Sequence, residues 1–362
     1  MTMRVLHVDT ERGWRGGERQ ALWLAEELAR RGHVPVIAAR AGEPLIERAR
    51  TAGLDVVEAS PRSELDVAAA WRLRRFIRSR NIAIVHAHTA HAVALCALAT
   101  IGTSAKLVVS RRVDFAPRKN PGTRWKYGRA DRIIAISDAV ARVLAANGIE
   151  RARIDVVPDG VDVHRSVTPV AREALAPLGI RSDAVLVVQV AQLVGHKDPL
   201  NFVRAMAHVA GSVRAAQGLL VGDGPLRADV EAEILRLGLR DAVRLAGYRT
   251  DADAILASAD VACLSSNEEG MGSVLLDALM FGLPMAATTA GGIPEVIVDD
   301  ECGLLVPPRD SDALGAAIVR LLSDGALAAR LRSNARARAA EFSVERMADR
   351  TIAVYEAVVG AG

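Results

Sequence analysis

Aromatic residues are scarce: five Phe, four Trp and three Tyr make up 3% of 362 residues. That speaks against an open carbohydrate platform built from stacked rings. Cysteine is rarer still. Cys96, Cys263 and Cys302 lie far apart, with no metal-ligand or redox spacing, which fits a reducing compartment. Long apolar runs are missing; the longest, 92–101, is too short to span a bilayer. No leader is expected, because Arg4 runs at once into the strand-like Val5-Leu6-His7-Val8 and acids come early. Neither charge sign dominates: the net charge is +3, so a general nucleic-acid binder is not indicated. The expectation is a soluble cytoplasmic protein that can still work at the inner face of the cytoplasmic membrane.

What is present is hydrophobic content of 51%, enough for two full cores, and a length that suits two domains. Short apolar strands alternate with helical stretches, the pattern of α/β folds with parallel sheets. Strands are predicted at 5–8, 34–38, 82–86, 107–110, 133–136 and 155–157, with a helix at 17–31. The pattern restarts at 184–190 and continues at 219–221, 243–246, 261–264, 285–287 and 304–306. Between the halves lies the turn Val157-Pro158-Asp159-Gly160-Val161-Asp162. The expected organisation is two doubly wound domains, 1–165 and 166–342, followed by an amphipathic helix in 343–362 that packs back on the first. Met347, Ile352, Val354, Tyr355 and Val358 are its candidate buried positions.

One stretch carries the most chemistry. Glu269 precedes a flexible Gly270-Met271-Gly272 turn, Ser273 opens a short apolar helix, and Asp277 lies just over one turn inside it. Free backbone N–H groups and a positive helix end would meet at one spot, with a carboxylate on either side. An anion would sit on the amides while hydroxyls at its two ends bond the acids. A nucleotide sugar has that layout. The plain alternative is a helix capped by Ser273 with two solvated acids. The capping-box position is filled by Leu276, however, so a cap leaves Asp277 unexplained.

Glu-Gly-Met-Gly-x-x-x-Leu-Asp-Ala, then Gly282-Leu283-Pro284, Gly291-Gly292-Ile293-Pro294-Glu295 and Gly303-Leu304-Leu305-Val306-Pro307, resembles the retaining glycosyltransferases of family 4. The turn at 157–162 and Ala135-Ile136-Ser137-Asp138 are similar to the family's as well. The resemblance implies a GT-B fold, two Rossmann-like domains facing across a cleft. It further implies that Glu269 binds the donor sugar, Asp277 the ribose, and the amides of Gly270, Met271 and Gly272 the diphosphate. The family's second acid is Glu; the shorter Asp277 puts bidentate ribose binding in question. In Ala191-Gln192-Leu193-Val194-Gly195-His196-Lys197 the family has Arg and Lys on the leaving diphosphate. Lys197 is present; Gln192 replaces the Arg, keeping a donor but losing a charge.

The remaining candidates are less specific. Gly222-Asp223-Gly224 follows a strand, where a turn and a ligand contact read equally well. Tyr248 and Arg249 lie in a segment similar to the one whose backbone reads the donor base; strand-end packing of Tyr248 is the alternative. Gly16 and Gly17 lie between the first strand and its helix, where backbone can approach a ligand. They are not the dinucleotide fingerprint, and no acid ends the next strand, so NAD is not expected. His86 and His88 share one side of a strand and suggest either a metal pair or structural imidazoles; by resemblance His88 lies beside the donor sugar. No metal and no cofactor are expected, since no Asp-x-Asp pair is read at a strand end.

Residues 110–132 hold eight Lys and Arg against two Asp, interleaved with Phe115, Trp125 and Tyr127. Arg111, Arg112, Arg118, Lys119, Arg124 and Lys126 read either as a solvated basic face or as a patch for an anionic acceptor or membrane. The expected function is transfer of a sugar from a nucleoside diphosphate to a cell-envelope glycan or glycolipid, such as a lipopolysaccharide core. Competing readings are an epimerase or phosphorylase of the same fold, or a non-catalytic nucleotide-sugar binder.

Overall fold

The computed structural model describes residues 2–63, 66–117 and 120–360. They form two units: one runs up to Asp162 and takes in the chain again from Phe342, the other is Val163–Glu341.

The first unit is built on strands β1 (Arg4–Val8), β2 (Val34–Ala39), β3 (Asp55–Glu58), β4 (Ile84–Ala87), β5 (Lys106–Arg111), β6 (Arg132–Ala135) and β7 (Ile154–Val156). They form one sheet in the order β3-β2-β1-β4-β5-β6-β7, with parallel neighbours throughout. Covered on both faces, these strands read as continuous apolar runs rather than alternating ones. β3 escaped the sequence reading: only two valines separate Asp55 from Glu58, and it lies at the sheet edge.

The second unit holds β8 (Val185–Val190), β9 (Ala216–Val221), β10 (Val243–Gly247), β11 (Val261–Leu264), β12 (Met285–Thr288) and β13 (Leu304–Val306). Their order is β10-β9-β8-β11-β12-β13, again all parallel. Both sheets therefore reverse direction of winding once, between β1 and β4 and between β8 and β11. In open α/β sheets the crevice outside the strand carboxyl ends at such a switch point is where ligands bind.

The last helix, Val344–Gly360, belongs to the first unit. Met347, Val354, Tyr355 and Val358 are buried in a cluster with Val5, Leu24, Leu28, Ile84 and Val108, with Ile352 partly buried at its margin. The turn at 157–162 is gripped from inside: Gln20 donates to the Gly160 carbonyl (2.7 Å) and accepts from its N–H (2.8 Å).

Candidate functional site

In the second unit the switch point sends out two loops, 191–198 after β8 and 265–272 after β11. They are stitched together through backbone. The amides of Asn267 and Glu268 both donate to the His196 carbonyl, at 2.9 and 3.3 Å. Ser265 Oγ donates to the carbonyls of Lys197 (3.1 Å) and Asp198 (2.8 Å). Buried side chains at the strand ends fix the second loop. Gln189 Oε1 accepts from Ser265 N at 3.0 Å, and Thr288 Oγ1 donates to Ser266 O at 2.5 Å.

This frame holds Glu269, which is 9% exposed. Its Oε2 accepts from Ser266 Oγ at 3.2 Å and pairs with Lys197 Nζ. Its carbonyl accepts from Gly292 N at 2.9 Å, so the Gly291-Gly292 motif supports the acid. The sequence assigned Lys197 to an anion; here its ammonium lies on the carboxylate. The ammonium thus offsets part of the desolvation cost of a buried acid.

The helix Ser273–Phe281 opens at Ser273, as read from the sequence. Ser273 is its first residue, not its cap; the cap is Gly272, in the left-handed region at φ +79°, with no capping side chain. A β-carbon is disfavoured there, and a helix amino end of this kind points its first backbone N–H groups towards the loop that carries Glu269. Asp277 is buried at 2% exposure. Arg165 Nη2 donates to its Oδ1 at 2.8 Å, while the other Arg165 nitrogen pairs with Asp253. The sequence reading missed Arg165, since nothing near residue 165 signals a partner 112 positions on.

Close packing requires a glycine at position 222. At φ +144° a β-carbon there would fall 2.0 Å from the Ala191 carbonyl oxygen. The glycine lets the turn close on the loop carrying Gln192, whose side chain is exposed. Tyr248 is 62% exposed, so it does not pack at the strand end. Arg249 forks onto both oxygens of Asp251, at 2.8 and 2.7 Å. That contact exposes an oversight: Asp251-Ala252-Asp253 is an Asp-x-Asp pair shortly after β10. Arginines hold both carboxylates, Arg249 the first and Arg165 the second.

In the first unit one sheet face turns from apolar to polar towards the carboxyl edge. Val5 and His7 lie on β1 with Asp9 just past its end, and His86 lies on β4 with His88 just past its end, in register at His7 and His86. Arg112 Nη1 can only donate, so His88 Nδ1 accepts from it (3.3 Å). Neutral His88 then carries its proton on Nε2 and donates to His7 Nδ1 (3.0 Å). His86 is held between Tyr355 Oη (2.6 Å) and Ser110 Oγ (2.8 Å). Burial first, and Arg112 second, lowers the His7 pKa to about 3. His86 and His88 are likewise pushed well below the usual range, mainly by burial. Asp9 moves the other way, to about 7, through burial and then the nearby Glu18.

His7, His86 and His88 are the one group among the described residues with ligand atoms close enough for a metal, all within 4.8 Å. Their nitrogens are committed to hydrogen bonds, save His7 Nε2, and a bound cation would face the Arg112 guanidinium. Gly16 and Gly17 open the helix Gly16–Arg30, with Arg112 Cδ 3.9 Å from where a Gly17 β-carbon would lie.

The basic segment needs correction. Arg118 and Lys119 lie outside the described residues. Arg111 and Lys126 are buried, Arg111 donating to Phe115 O and Tyr127 Oη and Lys126 to Ala90 O. Arg112 bonds Asp159 at 3.1 Å and His88. Arg111 and Arg112 at the end of β5 and Lys126 in the helix Pro121–Gly128 turn inward to satisfy buried acceptors. Arg124 is exposed and, with Tyr127, Asn147 and Arg153, lines a cavity of about 630 Å³.

Two family models match this chain: Glycosyltransferase Family 4 over residues 14–165 and Glycosyl transferases group 1 over residues 171–338. Over 244 residues the chain is 33% identical to the 2-deoxystreptamine glucosyltransferase of Streptomyces kanamyceticus, covering 66% of this chain and 63% of that protein. It is 30% identical over 279 residues to the D-inositol 3-phosphate glycosyltransferase of Mycobacterium marinum, covering 75% and 58%. It therefore spans about three fifths of the length of these curated relatives. Among solved structures, Anabaena Alr3699/HepE in complex with UDP-glucose superposes with a TM-score of 0.86 at 22% identity, over 98% of this chain and 100% of that one. A glycosyltransferase from Rickettsia africae ESF-5 gives 0.83 at 22% identity over all of both chains. These likenesses establish the GT-B fold.

Proposed function

The chain belongs to the family 4 glycosyltransferases, and on that footing we propose that it moves a sugar from a nucleoside-diphosphate donor to a glycan or glycolipid acceptor, with retention and without a metal ion. One observation carries the reading: the amino end of the helix Ser273–Phe281, entered through Gly272 and flanked by the buried acids Glu269 and Asp277, with Lys197 at the first of them. Diphosphate oxygens take the helix amides, Glu269 orients the sugar, and Asp277 accepts from the ribose. Lys197, released from Glu269 when sugar hydroxyls take over that carboxylate, shifts to the departing diphosphate. The bond from the sugar's anomeric carbon to the diphosphate breaks. The acceptor oxygen bonds that carbon from the same face, and its proton passes to the departing phosphate oxygen. Charge is greatest on the leaving group in the transition state, where fixed donors count most.

The D-inositol 3-phosphate and lipopolysaccharide-core relatives fit an acceptor of the polyol or envelope-glycan class, taken by the first unit. Of the six cations Arg111, Arg112, Arg118, Lys119, Arg124 and Lys126, Arg124 is the described one that stays exposed to meet an anionic acceptor. A non-catalytic nucleotide-sugar binder draws its support from Gln192, which leaves the family's cation pair incomplete. A thermal-shift screen of UDP-, GDP-, ADP- and TDP-sugars tests donor binding, because a ligand at a hundredfold excess over Kd stabilises by about 2.7 kcal/mol. Release of nucleoside diphosphate that rises only with added acceptor identifies a transferase. Donor binding without any such release across glycan and polyol acceptors would leave the binder.

A further inference from the structure

The helix Val67–Ser79 in the first unit has two unlike sides. Asp66 caps it by accepting from Ala69 N at 2.9 Å. Ala69, Ala70, Leu73 and Ile77 are buried, and the helix packs against its neighbour Ala90–Ala99. Arg74 reaches across to the last carbonyls of that neighbour, donating to Leu98 O at 2.7 Å, as suits the negative end of a helix.

The other side faces solvent. Val67 is 71% exposed and Trp71 55%, and the arginines 72, 75 and 78 are exposed with them. Positions 67, 71, 75 and 78 fall along one stripe of a helix with 3.6 residues per turn. The Arg75 guanidinium lies over the Trp71 ring, 5.0 Å from its centroid. Ile101, 40% exposed, extends the apolar surface at the end of the neighbouring helix, beside Gly102, whose carbonyl accepts from Arg78. No Asp or Glu occurs anywhere from Val67 to Val113, whereas five arginines fall between 72 and 80.

We propose that this face docks on an anionic lipid membrane, with Val67 and Trp71 entering the headgroup boundary and Arg72, Arg75 and Arg78 lying among the lipid phosphates. Apolar tips set among Arg72, Arg75 and Arg78, with the carboxylate of Asp66 engaged at the helix cap, match the layered chemistry of such an interface. Valine and isoleucine offer nothing to a nucleic-acid backbone, and a protein partner would need a largely acidic complement. The surface goes beyond the proposed transfer reaction and stands without it.

The test is flotation of the purified full chain with vesicles, without donor or acceptor. Vesicles of phosphatidylcholine alone are compared with vesicles holding equal parts phosphatidylglycerol. The wild type is expected to float with the anionic vesicles and to release as salt rises. Each basic residue near such a surface contributes about 1 kcal/mol, or about fivefold in partition. The pair Arg72→Glu and Arg75→Glu should therefore lower partition more than tenfold. Val67→Ser with Trp71→Ser should lower it several-fold while the charge is unchanged. Both pairs lie on an exposed face, and circular-dichroism melting curves measured in parallel check that the fold persists. Wild-type protein that stays off anionic vesicles overturns the proposal, as do variants that float like wild type. A concentration-dependent dimer in sedimentation velocity, abolished by Trp71→Ser while flotation is unchanged, would assign the face to a second copy instead.

Discussion

Asp277→Asn should weaken binding of the nucleoside diphosphate and of its sugar conjugate by the same factor. The substitution keeps the side-chain volume at a position 2% exposed, so packing is preserved. It removes a charged acceptor that, under the proposed reading, serves the ribose common to both ligands. Such a hydrogen bond is worth about 1.5–3 kcal/mol, or about 10- to 150-fold in Kd. Arg165 supplies the companion experiment. Its Nη2 lies 2.8 Å from Asp277 Oδ1, so under the proposed reading ribose shares or displaces that bond. Arg165→Ala leaves the acid without this cation before ligand arrives and makes it the hungrier acceptor. Nucleotide affinity should then rise, at some cost to the melting temperature of the empty chain. Calorimetry with UDP, GDP, ADP and TDP on the three proteins reads both effects. Unchanged affinity in Asp277→Asn would remove the acid from the ribose site. Equal weakening in both variants would show that Arg165 holds Asp277 in place and does not compete for it.

Glu269→Ala should lower transfer by about a hundredfold or more, the loss typical of a misplaced reactant, while affinity for free nucleoside diphosphate stays within about threefold. Steady-state kinetics beside calorimetry decides, and near-normal transfer would dismiss the acid's role. Lys197→Ala should lower kcat more than donor affinity, and Gln192→Arg should raise kcat if the site is short of one cation. No gain from the added arginine would mean that another group already fills that place. Transfer should persist in excess EDTA; loss restored by magnesium or manganese would contradict the metal-free proposal. Stability should fall as pH drops below about 6.5, because the imidazoles at 7, 86 and 88 are held neutral when folded and take up protons on unfolding. Each adds up to about 1.4 kcal/mol per pH unit, so His7→Gln should flatten the acid limb of urea midpoints against pH; an unaltered slope refutes the shift. Asp9 has the opposite sign: with its folded pKa raised to about 7, stability is lost as pH rises towards 7, and Asp9→Asn should gain on wild type at pH 8 but not at pH 4.

Strands were legible because parallel strands buried on both faces must be apolar throughout, and β3 was not because an edge strand with two valines need not be. Glu269 and Asp277 could be named because they flank a helix start that local pattern reveals, and Lys197 because of the resemblance to the family. Their actual partners could not. Lys197 on Glu269 spans 72 positions and Arg165 on Asp277 spans 112, and only the closed fold brings them together. The basic segment misled for a related reason. A count of charges does not say which way they point, and Arg111, Arg112 and Lys126 turn inward, where carbonyls, a carboxylate and an imidazole wait. The surface that does present cations, on the helix Val67–Ser79, was hidden in plain arginine content until burial sorted its two sides.

A signal for the missed residues was nevertheless present. Residues two apart on a strand share a face, so Val5-His7-Asp9, Ile84-His86-His88 and Val108-Ser110-Arg112 describe one surface that grows polar along the strand direction. The second unit repeats the device: β8 passes from Val187 to the buried Gln189, and β12 ends on the buried Thr288. A buried polar group costs free energy unless it is bonded. Gln189 and Thr288 meet that cost by binding the backbone at Ser265 and Ser266, the loop that carries Glu269. In the first unit His86 bonds Tyr355 and Ser110, while His88 bonds His7 and Arg112, the arginine that reaches on to Asp159 in the turn. Polarity entering a strand that otherwise must be apolar is therefore where support for a site begins. Read by alternation along neighbouring parallel strands, it would have found His7, Asp9, Gln189 and Thr288 from the residues alone.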